Sequence, residues 1–165
     1  MGLSEDMERI ALQERELVLP RLDAQVAWEL GTRLRTMAIE RKLVLVIDLR
    51  RFGQPLFYAA LDGTTPDNAE WVRRKSNVVA RFHRSSYGVG LGLKLKNTSL
   101  LERQGLPVAD YATDGGAFPL RLAGAGVVGS VTVSGLPQRA DHELVVEALC
   151  GLLRREYAEL RLAAE

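Results

Sequence analysis

The chain has almost no sulfur chemistry to offer. Its one cysteine, Cys150, excludes an intrachain disulfide. Two histidines, His83 and His142, fall short of the three or four suitably spaced ligands that a zinc site requires, so a metal centre is not expected. Charge of one sign is also missing. Lysines and arginines (22) nearly balance aspartates and glutamates (21), and bulk electrostatics give no reason to expect nucleic acid or an anionic membrane as partner. No apolar N-terminal run resembles a signal peptide or a spanning helix, and there is no internal repeat, low-complexity tract or long linker. The expected compartment is a reducing cytoplasm. What is present is 47% hydrophobic content over 165 residues, enough to bury a core without staples. Residues 1–165 read as a single domain, with 1–20 as an N-terminal extension.

Periodicity supplies the elements. Ser4 to Leu12 carries a capping serine, acids in the first turn and apolar residues at helical spacing, which predicts a short helix. Asp23 can cap a longer one whose Val26, Leu30, Leu34, Met37 and Ala38 share a face. Leu43 to Leu49 and Pro55 to Leu61 flank Arg50-Arg51-Phe52-Gly53 and read as a hairpin. Thr65-Pro66 resembles a helix start, since proline at the first helical position loses no needed N–H, and the helix should run to about Arg84. After Ser85-Ser86 the signals conflict. Gly88, Gly90 and Gly92 favour an extended chain, while Tyr87, Leu91 and Leu95 fall at helical spacing. Thr98-Ser99 opens a short turn ending at Gly105, and Pro107 to Thr113 reads as a loop. Phe118 to Ala123 and Val128 to Val133 form a second hairpin, and Asp141 is placed to cap a last helix reaching about Leu160.

Two hairpins bracketed by helices predict an α+β domain: about five strands in a mainly antiparallel sheet with flanking helices, similar to profilin-like and PAS-like domains. Gly124-Ala125-Gly126-Val127-Val128-Gly129 matches G-x-G-x-x-G, but a nucleotide loop needs a helix next, and Ser130 to Ser134 keeps strand alternation. A tight turn is the better reading.

Gly115-Gly116-Ala117-Phe118-Pro119, then Gly124, Gly126 and Gly129, Val133-Ser134-Gly135-Leu136-Pro137-Gln138 and Asp141-His142, resemble the signature of the haem-degrading domain family. Arg74-Lys75-Ser76-Asn77 and Ser85-Ser86 fit a branch of it marked by the VSGLPQ stretch. The resemblance runs from about Leu43 to Tyr157. It implies a sheet with flanking helices, homo-oligomeric assembly, and haem as a candidate ligand.

The middle helix focuses the search for a site. Lys75 lies within an apolar stripe of Trp71, Val72, Val78, Val79 and Phe82, where a lysine must be paired, snorkel outward or reach a ligand. From Pro66 to Asn97 there are seven cationic residues against Asp67 and Glu70. A pocket edged by Lys75, Asn77, His83, Ser86, Gly115 and Gly116 is therefore a candidate for haem or another small anionic ligand, with His83 able to donate an imidazole to iron. The alternative is a solvated helix face with Lys75 bonded to a carboxylate or a neighbouring subunit, in a non-enzymatic assembly protein. His142 is expected to meet a loop or another subunit. The serines lack a positioned base and read as caps. No catalytic residue is assigned.

Overall fold

The computed structural model describes residues 2–165. Seven helices and five strands follow in the order α1 (Leu3–Glu16), β1 (Val18–Leu19), α2 (Ala24–Glu40), β2 (Val46–Arg51), β3 (Gln54–Ala60), α3 (Pro66–Phe82), α4 (Ser86–Leu95), α5 (Leu100–Gln104), β4 (Ala117–Leu122), β5 (Gly126–Ser134), α6 (Gln138–Leu153) and α7 (Tyr157–Leu160). The sheet order is β1-β4-β5-β2-β3. Only β1 on β4 pairs in parallel; the other neighbours are antiparallel. The fold is α+β, as expected.

Strand alternation divides the sheet into unlike faces. Ile47 and Leu49, Phe118 and Leu120, and Val131 and Val133 join the main core with Leu30 and Leu34 of α2 and Leu144, Val145, Ala148 and Leu149 of α6. The alternate residues of β5, Ser130, Thr132 and Ser134, are also buried. They lie beneath α3, which crosses the opposite face chiefly over β5 and β4. Small and hydroxylated side chains on that face let a helix carrying Lys75 and Ser76 approach the strands closely.

Local signals set most of the boundaries. The Asp23 carboxylate accepts from the Val26 N–H at 2.9 Å. Thr65 and Asn68 form a capping box spanning Pro66. Ser99 caps α5, which Gly105 ends in the left-handed region. The ambiguous 86–95 segment is a helix, capped by the Ser85 hydroxyl accepting from Gly88 N–H. Tertiary packing explains its glycines: a Cβ on Gly90 would strike the Thr113 backbone and side chain.

Three expectations are corrected. The first helix spans fourteen residues with Gly2 at its cap, because its buried Ile10 and Gln13 anchor it well past Leu12. The last helix starts at Gln138 with extended Pro137 at its cap, so Asp141 is one turn inside it. It also ends early: Arg154 takes a left-handed conformation, and the separate turn α7 follows.

Candidate functional site

Lys75 projects from α3 into the junction where β5 hands over to α6. The residue is 3% exposed; Nζ donates to Asp141 Oδ2 at 3.0 Å and to the Val133 carbonyl at 3.3 Å. Asp141 accepts in turn from the Leu136 N–H at 3.0 Å and the Gly135 N–H at 3.4 Å. One carboxylate thus ties helix α3, the turn after β5 and the first turn of α6. Burial pushes the Asp141 carboxyl up, against the pull of Lys75 and the two amides.

A cleft of about 250 Å³ opens beside this ion pair, between Asn68 and Trp71 of α3, Asp114, and the Ser134 to Gln138 turn. Its charge does not suit an anion. Lys75 is already neutralised by Asp141, and Asp67 and Asp114 add two further carboxylates to the lining. The volume also lies just below the roughly 300–1,000 Å³ typical of small-molecule sites.

The six residues expected to edge one pocket are dispersed. Gly115 and Gly116 do lie beside Lys75, yet they serve the protein's own backbone. Gly116 has φ +140°, and a Cβ there would meet the Val133 carbonyl and Lys75 Nζ; one on Gly115 would meet the Gln138 carbonyl. The Ser86 hydroxyl accepts from the Ala117 N–H at 3.1 Å and joins α4 to β4. Asn77 donates to the Asp110 carbonyl at 2.8 Å, holding a loop on the outer face of α3. His83 ends α3, eight residues or about 12 Å along the helix from Lys75.

His83 belongs to a second locus. It adopts a left-handed backbone (φ +56°) and exposes its ring, which stacks on Phe52 at 5.7 Å and 21°. Phe52 stands in the two-residue turn between β2 and β3, also left-handed (φ +36°) and 47% exposed. Of their chain neighbours, Arg51 donates to the Leu22 carbonyl at 2.7 Å, while Arg84 forms none of the ion pairs found among the described residues. The sequence reading missed Phe52. Its signal was a bulky aromatic at a Phe-Gly turn, where Asn-Gly is the favoured pair.

His142 packs inside the chain, against helix α1 rather than a loop. It is fully enclosed, with Nε2 donating to Gln13 Oε1 at 2.8 Å, while the Gln13 amide donates to the Leu160 carbonyl at 2.8 Å. Tyr87 and Phe118 pack beside the ring, and burial drives its pKa down to about 3. Cys150 is buried and its thiol is pushed up to about 11. No group of three or more metal-ligating side chains occurs among the described residues.

Comparison with known proteins agrees with the motifs gathered around Lys75 and Asp141. Residues 22–150 match the family model described as haem degrading protein HbpS-like. The chain belongs to that family. A UPF0303 protein of Acidobacterium capsulatum is 62% identical over 98% of both chains. Among solved structures, the Ybr137w protein is similar with a TM-score of 0.83 and 27% identity, over 90% of this chain and 87% of that one. A PduOC:haem complex shares the fold, with a TM-score of 0.67 and 13% identity over 78% and 93% of the two chains. No helix among the described residues of this HbpS-like chain is long and apolar enough to cross a membrane.

Proposed function

We propose that this HbpS-like protein binds haem on an open aromatic surface formed by His83 and Phe52, as a cytoplasmic homo-oligomer. The observation that carries the reading is the pairing of two exposed rings on two left-handed, non-glycine residues. His83 takes this backbone as the residue that ends α3, a common way for a helix to stop. The unusual position is Phe52, where a left-handed backbone costs a bulky L-residue roughly 1–2 kcal/mol. The donor set agrees. His142 is sealed and bonded to Gln13, and Cys150 is buried with a raised pKa, which leaves His83 as the exposed imidazole. His83 would supply a nitrogen to the iron, Phe52 an apolar face, and Arg84 a cation for a propionate. Bound haem would supply the redox-active iron. The family description and the fold shared with a haem complex support the ligand class. A flat surface covers one side of a porphyrin, and a second copy of the chain would shield the other.

Titrating the purified protein with haemin tests this. A Soret band that shifts with protein, and returns to that of free haemin in His83→Asn, is the expected result; asparagine tolerates the left-handed backbone. Unchanged spectra at micromolar protein would remove the haem reading, and coordination retained in His83→Asn would exclude that residue.

A second reading, a non-enzymatic assembly protein, is favoured by the sheet edge. Strand β3 has one neighbour, β2, and exposes Tyr58 at its middle, while Trp28 of α2 stands 61% exposed over Phe57. Native mass spectrometry of protein taken directly from cells reports oligomer size and retained ligand together. A ligand-free assembly would favour this second reading.

A further inference from the structure

The sheet ends at β1 on one side and at β3 on the other. Strand β1 is two residues long, so only β3, Gln54–Ala60, offers a backbone edge of useful length. Natural edge strands are kept from pairing further by charges, prolines and bulges. In β3 the proline is Pro55, the bulge falls between Pro55 and Phe57, and no residue from 54 to 60 is charged. Phe57 to Ala60 therefore carries none of these defences. Its hydrogen-bond phase is fixed. The Leu61 N–H donates to the Leu45 carbonyl at 3.2 Å, which makes these opposed residues a hydrogen-bonded pair and the next, Ala60 with Val46, a non-bonded one. By the same alternation Ala59 bonds to β2, while Tyr58 and Ala60 turn their N–H and carbonyl groups to the open side.

Side chains along this edge alternate in size as well as in face. Tyr58 and Ala60 lie on the face of Asp48 and Val46, with Tyr58 50% exposed, and Ala59 lies on the other. Charge differs between the strand's ends. Arg50 and Arg51 precede it, and Asp62, exposed and in none of the ion pairs found among the described residues, follows it. We propose that a second copy of this chain occupies the edge, β3 antiparallel to β3, with the two-fold axis at Ala59. Tyr58 then faces the partner's Ala60, and Ala60 faces the partner's Tyr58. Each pair exchanges two hydrogen bonds, and a ring covers a methyl group in each. Each Asp62 points toward the other copy's arginine end. Such a contact is self-complementary, as an isologous interface requires. The inference rests on the homo-oligomer reading above and gives it a contact: the partner's chain leaves β3 toward the Phe52 turn, where haem needs a second copy as cover.

Cysteine crosslinking of the full chain tests the register. Opposed residues of a non-bonded antiparallel pair have Cα atoms about 4.5 Å apart, within disulfide reach, so Ala59→Cys should oxidise to a covalent dimer. Tyr58→Cys and Ala60→Cys each stand roughly 8 Å from their own copy across the axis and should not. The native chain, whose one cysteine, Cys150, is buried, is the control and should stay uncrosslinked. Ala60→Lys sets a charge against the partner's Tyr58. It should weaken assembly by about tenfold or more in native mass spectrometry over a dilution series, with unchanged circular dichroism. A native chain that is monomeric at about 100 μM would overturn this inference and the homo-oligomer reading together. An oligomer in which Ala59→Cys does not crosslink in preference to Tyr58→Cys and Ala60→Cys, or one that keeps its mass in Ala60→Lys, would overturn this contact alone.

Discussion

At the scale of single residues, Lys75, Gln13 and Glu14 are buried polar side chains paired with partners far away in sequence. Lys75 and Asp141 illustrate the consequence. Replacing one member of a buried pair strands the other charge, so Lys75→Met should lower the unfolding free energy by about 3–5 kcal/mol in urea titrations. Adding Asp141→Asn should recover part of that loss, because the amide oxygen still accepts from the Leu136 N–H while the uncompensated charge is gone. His142 sets a pH dependence of definite sign. Its pKa falls from 6.5 to about 3 on folding, so below pH 6.5 the unfolded chain binds the extra proton and stability declines as pH drops toward 3. The slope approaches about 1.4 kcal/mol per pH unit. Glu14 and Glu143 act oppositely: burial raises both, and their contribution is lost as pH rises through their folded values. Comparing denaturation at pH 6.5 and 5, His142→Gln should show a shallower decline than the native chain.

Elements carry the next level of constraint, and the β2–β3 hairpin separates stability from function. A two-residue turn with both central residues left-handed favours Asn-Gly, whereas this chain has Phe52-Gly53. Phe52→Asn should therefore stabilise the fold by about 1 kcal/mol while weakening the haemin-induced Soret change. A variant that gains stability with unchanged haemin binding would reduce Phe52 to a turn residue. Helix α4 shows the reverse relation between propensity and packing. Its glycines lower intrinsic helix stability, yet a side chain at Gly90 would collide with Thr113.

Across the whole molecule, the two ends of the chain close over the same core. Helix α1 reaches α6 and the residue ending α7 through Gln13, whose carbonyl oxygen meets His142 and whose amide meets Leu160. Arg139 adds a bidentate pair with Asp6. The N-terminal segment should thus unfold with the body. Trp28 lies on α2 and Trp71 on α3, over opposite faces of the sheet, so tryptophan fluorescence and far-UV circular dichroism should give coincident transitions in urea. Gln13→Leu, which leaves the buried His142 Nε2 without an acceptor, should shift that single transition downward by about 1–3 kcal/mol. Separate transitions would make residues 1–20 an independent extension.

Much of this architecture is legible one segment at a time, because caps, turns and apolar periodicity act over a few residues. Asp23, Thr65-Pro66, Ser99 and Gly105 mark helix ends correctly, and strand alternation after Gly129 excludes a nucleotide loop. The site was less accessible. Lys75 announces itself as a cation in an apolar stripe, but its carboxylate is 66 residues away, and neither Asp141 nor Gln13 carries a local sign of its partner. Asn77 and His83 lie near Lys75 in sequence, yet helix rotation and rise send one to the 107–112 loop and the other to the β2–β3 turn. Local signals were enough for most of the elements, for the family and for the residues worth testing. Which of them meet follows from packing, since pairing across the sheet and between its layers depends on contacts that no short stretch of chain encodes.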